Sequence, residues 1–224
     1  MNKVYLLRHG ENVANLTKEF SHRKVDYSLT PKGRLQAGQA AAFFLDQQIQ
    51  AIFSSPLKRA RETAAIIASA LGLETTVIED FRELNVGDLE DPPVSDEKWR
   101  IHHGVWFEWL SGNRAASFPG GENHFQACAR MRRGLATALA GRAGQRLVIA
   151  GHGGLFMSTL GETCPRLNLA EILAHASPNG SLSEGDFTWD GQQWTGELVR
   201  WAATDHLHGA AADFVNGYPD LKED

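Results

Sequence analysis

Short apolar runs separated by longer amphipathic stretches form the dominant pattern of this chain. The runs have the length and aliphatic or β-branched composition of strands, and the stretches between them have helical spacing. The predicted strands are residues 4–7, 51–54, 75–78 and 147–150, with later ones at 181–182 and 197–201. This alternation favours right-handed crossovers between parallel strands. We therefore expect an α/β fold: a three-layer sandwich with a mostly parallel central sheet flanked by helices, plus an inserted cap.

Cap residues and prolines mark the starts of the helices. Thr30 precedes Pro31, which predicts an N-cap followed by a proline in the first turn, and Ser55 precedes Pro56 in the same way. Gly72 predicts the end of the second helix. The predicted helices cover 31 to about 47, 55 to about 71, about 123–140, and 155–160.

The predicted cap interrupts the alternation at about 84–124, where a Pro-Pro pair and several aromatic residues occur. Asp190-Gly191 predicts a hairpin turn near the edge of the sheet. Residues at about 209–224 are expected to form a flexible tail. Because no internal repeat or long linker divides the chain, we expect one domain over residues 1–224.

The composition of the chain limits the classes of partner that we expect and indicates its cellular compartment. The 224 residues carry 22 Lys and Arg against 27 Asp and Glu, a formal net charge of -5. This charge gives no general attraction to nucleic acid or to an anionic membrane. Cys128 and Cys164 have the spacing of neither a zinc motif nor a disulfide scaffold. With no export signal and no membrane-spanning run in the sequence, we expect a cytoplasmic protein.

Two predicted strands end in the same way, and this repetition is the strongest functional signal. The first strand runs into His9 and the later one into His152, and glycine flanks both imidazoles. Groups beyond the carboxyl ends of strands in an open α/β sheet meet in one crevice. One such histidine is readily explained as a loop residue with a satisfied hydrogen bond, whereas two similar constructions favour a two-histidine site.

Arginines predicted to border this crevice indicate a phosphate group. Arg8 and Arg59 suit bidentate contact with phosphate oxygens, whereas Arg61 is explained equally well as a solvated helix residue. A neutral His9, held by a backbone carbonyl, is a competent nucleophile toward phosphorus. Arg8, Arg59 and, if it is protonated, His152 would then stabilise the developing charge without a metal.

A departing alkoxide needs a proton from a nearby carboxylic acid. Glu83 follows the third predicted strand and is our candidate. Composition does not rank it above the other carboxylates at comparable positions, which are Glu11, Asp80, Asp88 and Glu90.

Together these segments resemble a known family. In chain order they are Leu7-Arg8-His9-Gly10-Glu11 with Asn15, Ser54-Ser55-Pro56-Leu57-Lys58-Arg59-Ala60 with Thr63-Ala64, Glu83 before Gly87, Pro119-Gly120-Gly121-Glu122, Gly151-His152-Gly153-Gly154, and Asp205-His206-Leu207. This set resembles the histidine phosphatase superfamily, in the branch that contains cofactor-dependent phosphoglycerate mutases and small-molecule phosphatases.

The resemblance implies a role for each matching residue. His9 would be the phosphorylated nucleophile and Glu83 the proton donor. Glu122 would orient the pocket, and Asn179 would serve either the site or a turn. The implied catalytic set is His9, Glu83, His152, Arg8 and Arg59. The implied substrate contacts are Arg8, Asn15, Arg59, His152 and Gly153, with no metal and no cofactor.

Two departures from the family pattern concern the substrate. Between Asn15 and Asp26 the chain lacks the Arg and the Gln-Gly pair often found there, and its His22-Arg23-Lys24 is either an anion contact or a solvated loop. Glu83-Leu84-Asn85-Val86-Gly87 replaces the Glu-Arg-His-Tyr-Gly-like stretch of the mutases, which favours a phosphatase. A phosphatase must admit water to phosphohistidine, whereas a mutase must exclude it.

The cap carries the candidate contacts to the organic part of the substrate. Its aromatic residues form either an apolar wall or ordinary packing, and its basic residues are candidate polar contacts. They are Trp99, Trp106, Phe107 and Trp109, with Arg100, His102, His103 and Arg114. His102-His103 is a poor metal site because no close carboxylate or thiol accompanies it.

We expect a phosphomonoesterase that hydrolyses a small phosphorylated metabolite through phosphohistidine. The alternatives are phosphoglycerate mutase-type transfer and a non-catalytic phospholigand-binding protein. The Trp-rich insertion equally suits a homodimer contact.

Overall fold

The computed structural model describes residues 1–164, 167, 172 and 177–215, and it confirms the α/β class with a sheet flanked by helices. The strands are β1 (Asn2–Arg8), β2 (Ala51–Ser54), β3 (Thr75–Val77), β4 (Arg146–Gly151), β5 (Leu182–Trp189) and β6 (Trp194–Ala203). They form one sheet in the order β3-β2-β4-β1-β5-β6. The first four strands in this order are parallel, and β5 and β6 add antiparallel at one edge.

Helices cover both faces of the sheet. They are α1 (Val13–Thr17), α2 (Pro31–Phe44), α3 (Lys58–Leu71), α4 (Asp96–Leu110), α5 (His124–Leu139) and α6 (Gly153–Thr163), with short 3-10 helices at Glu79–Phe81, Gly87–Glu90 and Gly209–Ala212. Side chains of a strand alternate between faces. Tyr5 and Leu7 of β1 therefore pack with α2 and α3, while Val4 and Leu6 pack with the core formed by α4, α5 and α6. None of the described helices is long and apolar enough to cross a membrane.

The two proline-marked helices begin differently. Thr30 caps α2 as predicted, with its side chain accepting from the Gly33 amide and Pro31 in the first turn. Helix α3 begins only at Lys58 and has no side-chain cap. The prediction that Ser55 opens this helix was therefore wrong, because its hydroxyl lies 2.7 Å from Nε2 of His152.

The chain after β4 confirms the hairpin but not the start of the tail. Asp190 donates its amide to the Gln193 carbonyl at the turn between β5 and β6. The expected tail begins instead with a 3-10 helix, in which Ala211 is buried and accepts a hydrogen bond of 3.0 Å from Gln36 of α2. Apolar alanines packing on α2 explain this difference. Residues 216–224 of the predicted tail lie outside the described residues.

The loop after β1 lies against the start of α2 through two glycines. A Cβ on Gly33 would lie 2.0 Å from the Glu11 carbonyl oxygen, and one on Gly10 would lie 2.3 Å from the Gly33 carbonyl oxygen. Both neighbours are backbone atoms, which cannot turn aside as a flexible side chain can. The absence of a side chain at both positions therefore lets α2 support the loop that carries His9.

Replacing Gly33 with Ala is expected to lower the free energy of unfolding by about 1–3 kcal/mol, because the added methyl group overpacks this contact. Gly38 of the same helix is the control, since a Cβ there meets nothing within 4 Å. Gly38→Ala is expected to raise the free energy of unfolding by up to about 1 kcal/mol. Urea denaturation measures both, and equal effects of the two substitutions would contradict the account.

Candidate active site

A cleft beyond the carboxyl ends of the central strands brings the predicted site residues together. Arg8, His9, Asn15, Arg59, Glu83 and Gly153 line one cavity of about 400 Å³. His152 is fully buried beside it, with its ring centroid 5.2 Å from that of His9. Because β4 pairs in parallel with β1, the two histidine loops leave the sheet side by side.

Two hydrogen bonds fix the orientation and the tautomer of His9. Its Nδ1 lies 2.7 Å from the Gly10 carbonyl oxygen, and its Nε2 accepts from Nε of Arg59 at 3.0 Å. A carbonyl can only accept, so Nδ1 carries the hydrogen and Nε2 keeps its lone pair. Burial, together with the positive charges of Arg59 and Arg8, holds the pKa of His9 well below its usual value. The imidazole is therefore neutral at physiological pH.

Arg59 connects His9 to the loop after α1. Its two terminal nitrogens donate to the Ser21 hydroxyl at 2.7 Å and to the Ser21 carbonyl at 2.8 Å. Burial lowers the pKa of this guanidinium to about 10, so it stays charged at neutral pH. Arg61, two positions along α3, is exposed, which agrees with the solvated alternative.

His152 is held differently from His9. Its Nε2 lies 2.7 Å from the Ser55 hydroxyl, and within the described part of the chain its buried Nδ1 has no hydrogen-bond partner. Burial, Arg59 and His9 hold the pKa of His152 well below its usual value. The charge-stabilising role of His152 was conditional on its protonation, which this structure disfavours, because the ring is buried and its charged neighbour is a cation.

Glu83 lies at the amino-terminal end of α6. Its Oε1 accepts from the amides of Leu84 and Leu155, both at 2.8 Å, and its Oε2 accepts from the Gly154 amide at 3.2 Å. A Cβ on Gly154 would lie 2.8 Å from Oε1 of Glu83. The second glycine after His152 therefore permits this carboxyl group to approach the helix.

The structure separates Glu83 from the other candidate acids. Of the five carboxylates considered, only Glu83 lines the cavity. Glu11 accepts from the Thr30 hydroxyl at 2.8 Å, and Asp80 pairs with Arg133 at 2.7 Å. The Asp88 carboxylate lies beside Gly120, and Glu90 accepts from backbone amides. The contacts of these four acids are structural.

A buried ion pair supports the backbone of Glu83. Glu122 binds Arg130 through both carboxylate oxygens, at 2.7 and 2.9 Å, and Arg130 donates to the Glu83 carbonyl at 3.1 Å. This arrangement agrees with an orienting role for Glu122. Arg130 was missed in the sequence because it lies on α5, far along the chain from the loop that it holds.

Asn179 contacts the His9 loop as well as occupying a turn. Its side-chain amide donates to the His9 carbonyl at 3.2 Å and to Oδ1 of Asn15 at 3.1 Å. The Asn15 side chain is uncharged, and it completes a capping box with Asn12 at the start of α1 by accepting from the Asn12 amide. Asn179 therefore serves both alternatives that the sequence left open.

Helical periodicity divides the aromatic residues of the cap. Trp99 and Trp106 line the cavity, as expected for an apolar wall. Trp109 is buried in the core, which is the packing alternative, and Phe107 is 68% exposed, which is neither alternative; neither residue lines the cavity. Phe107 lies one position beyond Trp106 on α4, which turns its side chain away from this face. Trp109, three positions beyond Trp106, packs against it with ring centroids 5.5 Å apart and lies deeper in the core.

Among the polar cap candidates, His102 alone lines the cavity. Its Nε2 accepts from Nε1 of Trp106 at 3.2 Å, and burial lowers its pKa to about 3. Arg100 is exposed, His103 is half-buried and Arg114 pairs with Glu162. The residues that the structure describes contain no group of three His, Cys, Asp or Glu side chains able to hold a metal ion.

In the loop after α1, Arg23 and Lys24 are exposed, as the solvated alternative expects, whereas His22 is not. His22 is buried, and its Nδ1 lies 2.8 Å from the Glu83 carbonyl oxygen. Oε1 of Glu90 accepts from the amides of four successive residues, at 2.7, 2.7, 2.8 and 3.0 Å. These residues are His22, Arg23, Lys24 and Val25. Glu90 therefore holds the loop that in turn contacts Arg59 through Ser21 and the Glu83 backbone through His22.

Replacing Glu90 with Ala is expected to raise amide hydrogen exchange at residues 22–25 by at least about tenfold, because four donors lose one buried acceptor. Glu90→Gln, which retains an acceptor oxygen, is expected to recover most of the protection. Asp91 is the matched control, since it contacts this loop only through a partly exposed ion pair with Lys24. Asp91→Ala is expected to change exchange by less than about threefold. Equal exchange in Glu90→Ala and Asp91→Ala would contradict the role of Glu90.

The fold and the paired histidines define an α/β enzyme of the phosphoryl-transfer class. The chain belongs to the histidine phosphatase superfamily (branch 1), whose sequence profile matches residues 4–202. This match confirms the resemblance found in the sequence.

Relatives and solved structures extend the similarity over nearly the whole chain. A Yersinia enterocolitica protein named probable phosphoglycerate mutase GpmB is 34% identical over 224 residues, which cover 95% of this chain and 98% of that protein. A mycobacterial glucosyl-3-phosphoglycerate phosphatase is similar with a TM-score of 0.76 and 25% identity, covering 91% of this chain and 100% of the other. A phosphoserine phosphatase from Entamoeba histolytica shares the fold, with a TM-score of 0.75 and 23% identity, over 93% of this chain and 100% of the other.

Proposed function

We propose that this protein is a metal-independent phosphomonoesterase that hydrolyses a small phosphorylated metabolite through a phosphohistidine. One observation carries the proposal: the lone pair of His9 Nε2 is fixed in a cavity that also contains Arg8, Arg59 and Glu83. A nucleophile, cations for an anionic group and a proton donor are the parts that this reaction requires.

In the first step, Nε–H of Arg59 leaves His9 Nε2 and donates to a phosphate oxygen instead, the freed Nε2 lone pair attacks phosphorus, and the bond to the ester oxygen breaks. Glu83, in its acid form, gives its proton to the departing alcohol oxygen. Charge on the transferring phosphoryl group is stabilised by the proposed pocket of Arg8, Asn15, Arg59, His152 and the Gly153 amide. That amide belongs to the first residue of α6, so it has no acceptor within the helix and can donate to an anion.

In the second step, water attacks the phosphohistidine. The Glu83 carboxylate takes a proton from this water, the N–P bond breaks, and inorganic phosphate leaves with His9 neutral again. The hydrogen bond from Nδ1 to the Gly10 carbonyl stabilises the positive charge that the ring carries as phosphohistidine.

Phosphoglycerate mutase-type transfer is the second candidate, because the Yersinia relatives carry that name. Two observations favour hydrolysis. The stretch from Glu83 to Gly87 departs from the mutase-like pattern, and the cavity beyond the phosphate pocket is lined mainly by apolar residues. A mutase would exchange phosphoglycerate isomers faster than it releases phosphate in the presence of a bisphosphate.

Incubation with a phosphomonoester followed by a basic quench is expected to add one phosphoryl group to His9, detectable by mass spectrometry and labile in acid. His9→Ala is expected to abolish both the adduct and phosphate release. Glu83→Gln is expected to slow an alkyl ester by at least about a hundredfold and a 4-nitrophenyl ester much less, because only the alkoxide needs the proton. Arg61→Gln, on the exposed face of α3, is the control.

A fully active His9→Ala protein would contradict the assignment of His9 as the nucleophile. Equal losses for the two esters in Glu83→Gln would overturn the proton donor. Isomer exchange faster than phosphate release would replace hydrolysis by the mutase reaction.

A further inference from the structure

The cavity continues beyond the proposed phosphate pocket into an aromatic and aliphatic chamber. We define this chamber by its lining residues Phe20, Leu84, Trp99, His102, Trp106 and Met157. Phe20 packs on Trp99 with ring centroids 4.3 Å apart and on His102 at 5.1 Å. These contacts join the loop after α1 to the cap, so the chamber has a continuous wall.

The one histidine of this wall does not act as a cation. Nε2 of His102 accepts from Trp106, and the ring stacks on Phe118 with centroids 5.3 Å apart. A ring that accepts at Nε2, between aromatic neighbours, is neutral. Nε2 of His102 is therefore engaged with the wall, and its buried Nδ1–H, which has no partner among the described residues, is a neutral donor that offers an anionic group no charge.

The charged groups of the cavity are unevenly distributed. Among its described lining residues, Arg8 and Arg59 supply the positive side-chain charge, and both belong to the proposed phosphate pocket. Glu19, which precedes the chamber residue Phe20 in the sequence, also lines the cavity and adds a carboxylate to it. A substrate carboxylate in the chamber would lose hydration without gaining a cation from the described lining residues, and the Glu19 carboxylate of the same cavity would repel it.

We propose that the site selects monoesters whose organic part is apolar and uncharged, and discriminates against phosphorylated hydroxy acids and amino acids. This inference rests on the proposed phosphomonoesterase function. The cavity of about 400 Å³ is within the roughly 300–1,000 Å³ range of small-molecule pockets. Trp106 and Glu19 determine the specificity, the first by contact with the organic group and the second by repelling a carboxylate.

The test compares benzyl, 4-carboxybenzyl and ethyl phosphates. Benzyl and 4-carboxybenzyl phosphates have similar leaving alcohols and differ by one carboxylate, and ethyl phosphate lacks the ring. For the wild-type protein, kcat/KM for benzyl phosphate is expected to exceed each of the other two values by at least about tenfold. 3-Phosphoglycerate and phosphoserine are expected to be poorer substrates than benzyl phosphate by at least the same factor.

Variants assign the discrimination to particular residues. Trp106→Ala is expected to reduce the benzyl-to-ethyl ratio about tenfold, and Trp106→Phe, the variant that retains a ring, to reduce it less. Glu19→Gln is expected to reduce the benzyl-to-carboxybenzyl ratio roughly threefold. Phe107→Ala and Glu97→Gln are the matched controls, because both residues are exposed and lie outside the cavity. Both ratios are expected to be unchanged in the controls.

The outcomes separate this inference from the proposed function. Hydrolysis of 4-carboxybenzyl phosphate or 3-phosphoglycerate as fast as benzyl phosphate would overturn the substrate class and leave the phosphatase intact. A wild-type preference that Trp106→Phe and Trp106→Ala both leave unchanged would overturn the role of this wall. No hydrolysis of any of these monoesters would overturn the proposed function itself.

Discussion

The hydrogen bond between His9 Nδ1 and the Gly10 carbonyl is the contact on which the site depends. It places the hydrogen on the nitrogen that faces the backbone and leaves the lone pair on the nitrogen that faces the cavity. The hydrogen bond from Arg59 requires the same tautomer, because Nε2 can accept it only when that nitrogen carries no hydrogen. With burial and two nearby guanidinium groups disfavouring a third positive charge, the ring stays neutral. The Gly10 hydrogen bond thus sets the orientation and the tautomer, and burial with the two arginines sets the protonation state.

The rest of the fold positions this imidazole and its neighbours. Strands β1 and β4 are adjacent and parallel, so their two histidine loops leave the same edge of the sheet. Three further connections converge on that edge: Ser21 on Arg59, His22 on the Glu83 carbonyl, and Arg130 on the same carbonyl. Glu90 accepts from the amides of the residues that follow Ser21, and so links the cap to the loop that contacts Arg59. These residues act indirectly, through hydrogen bonds that position Arg59 and the backbone of Glu83.

The order of strands and helices was predictable because the spacing of apolar residues within a short segment indicates which of its side chains are buried. Thr30 is a clear example, since its cap needs only the next three residues. Ser55 shows where local reasoning fails: its hydroxyl is a good cap candidate in sequence, but in the fold it contacts His152, almost a hundred residues away. The choice of Glu83 among the five carboxylates and its support by Arg130 also depend on contacts between segments that are distant in the sequence. The sequence did not divide the cap aromatics between wall and packing, because the rotation of α4 relative to the cavity depends on tertiary packing.

The most direct test of the account is the protonation state of His9, followed by nitrogen NMR of the histidine-labelled protein and assigned with a His9→Asn variant. From about pH 8 to about pH 5.5, a range in which an ordinary histidine gains a proton, His9 is expected to remain neutral. Its signals should show a protonated Nδ1 and an unprotonated Nε2 throughout. A ring protonated on Nε2, or one that titrates at the ordinary histidine pKa, would contradict the account.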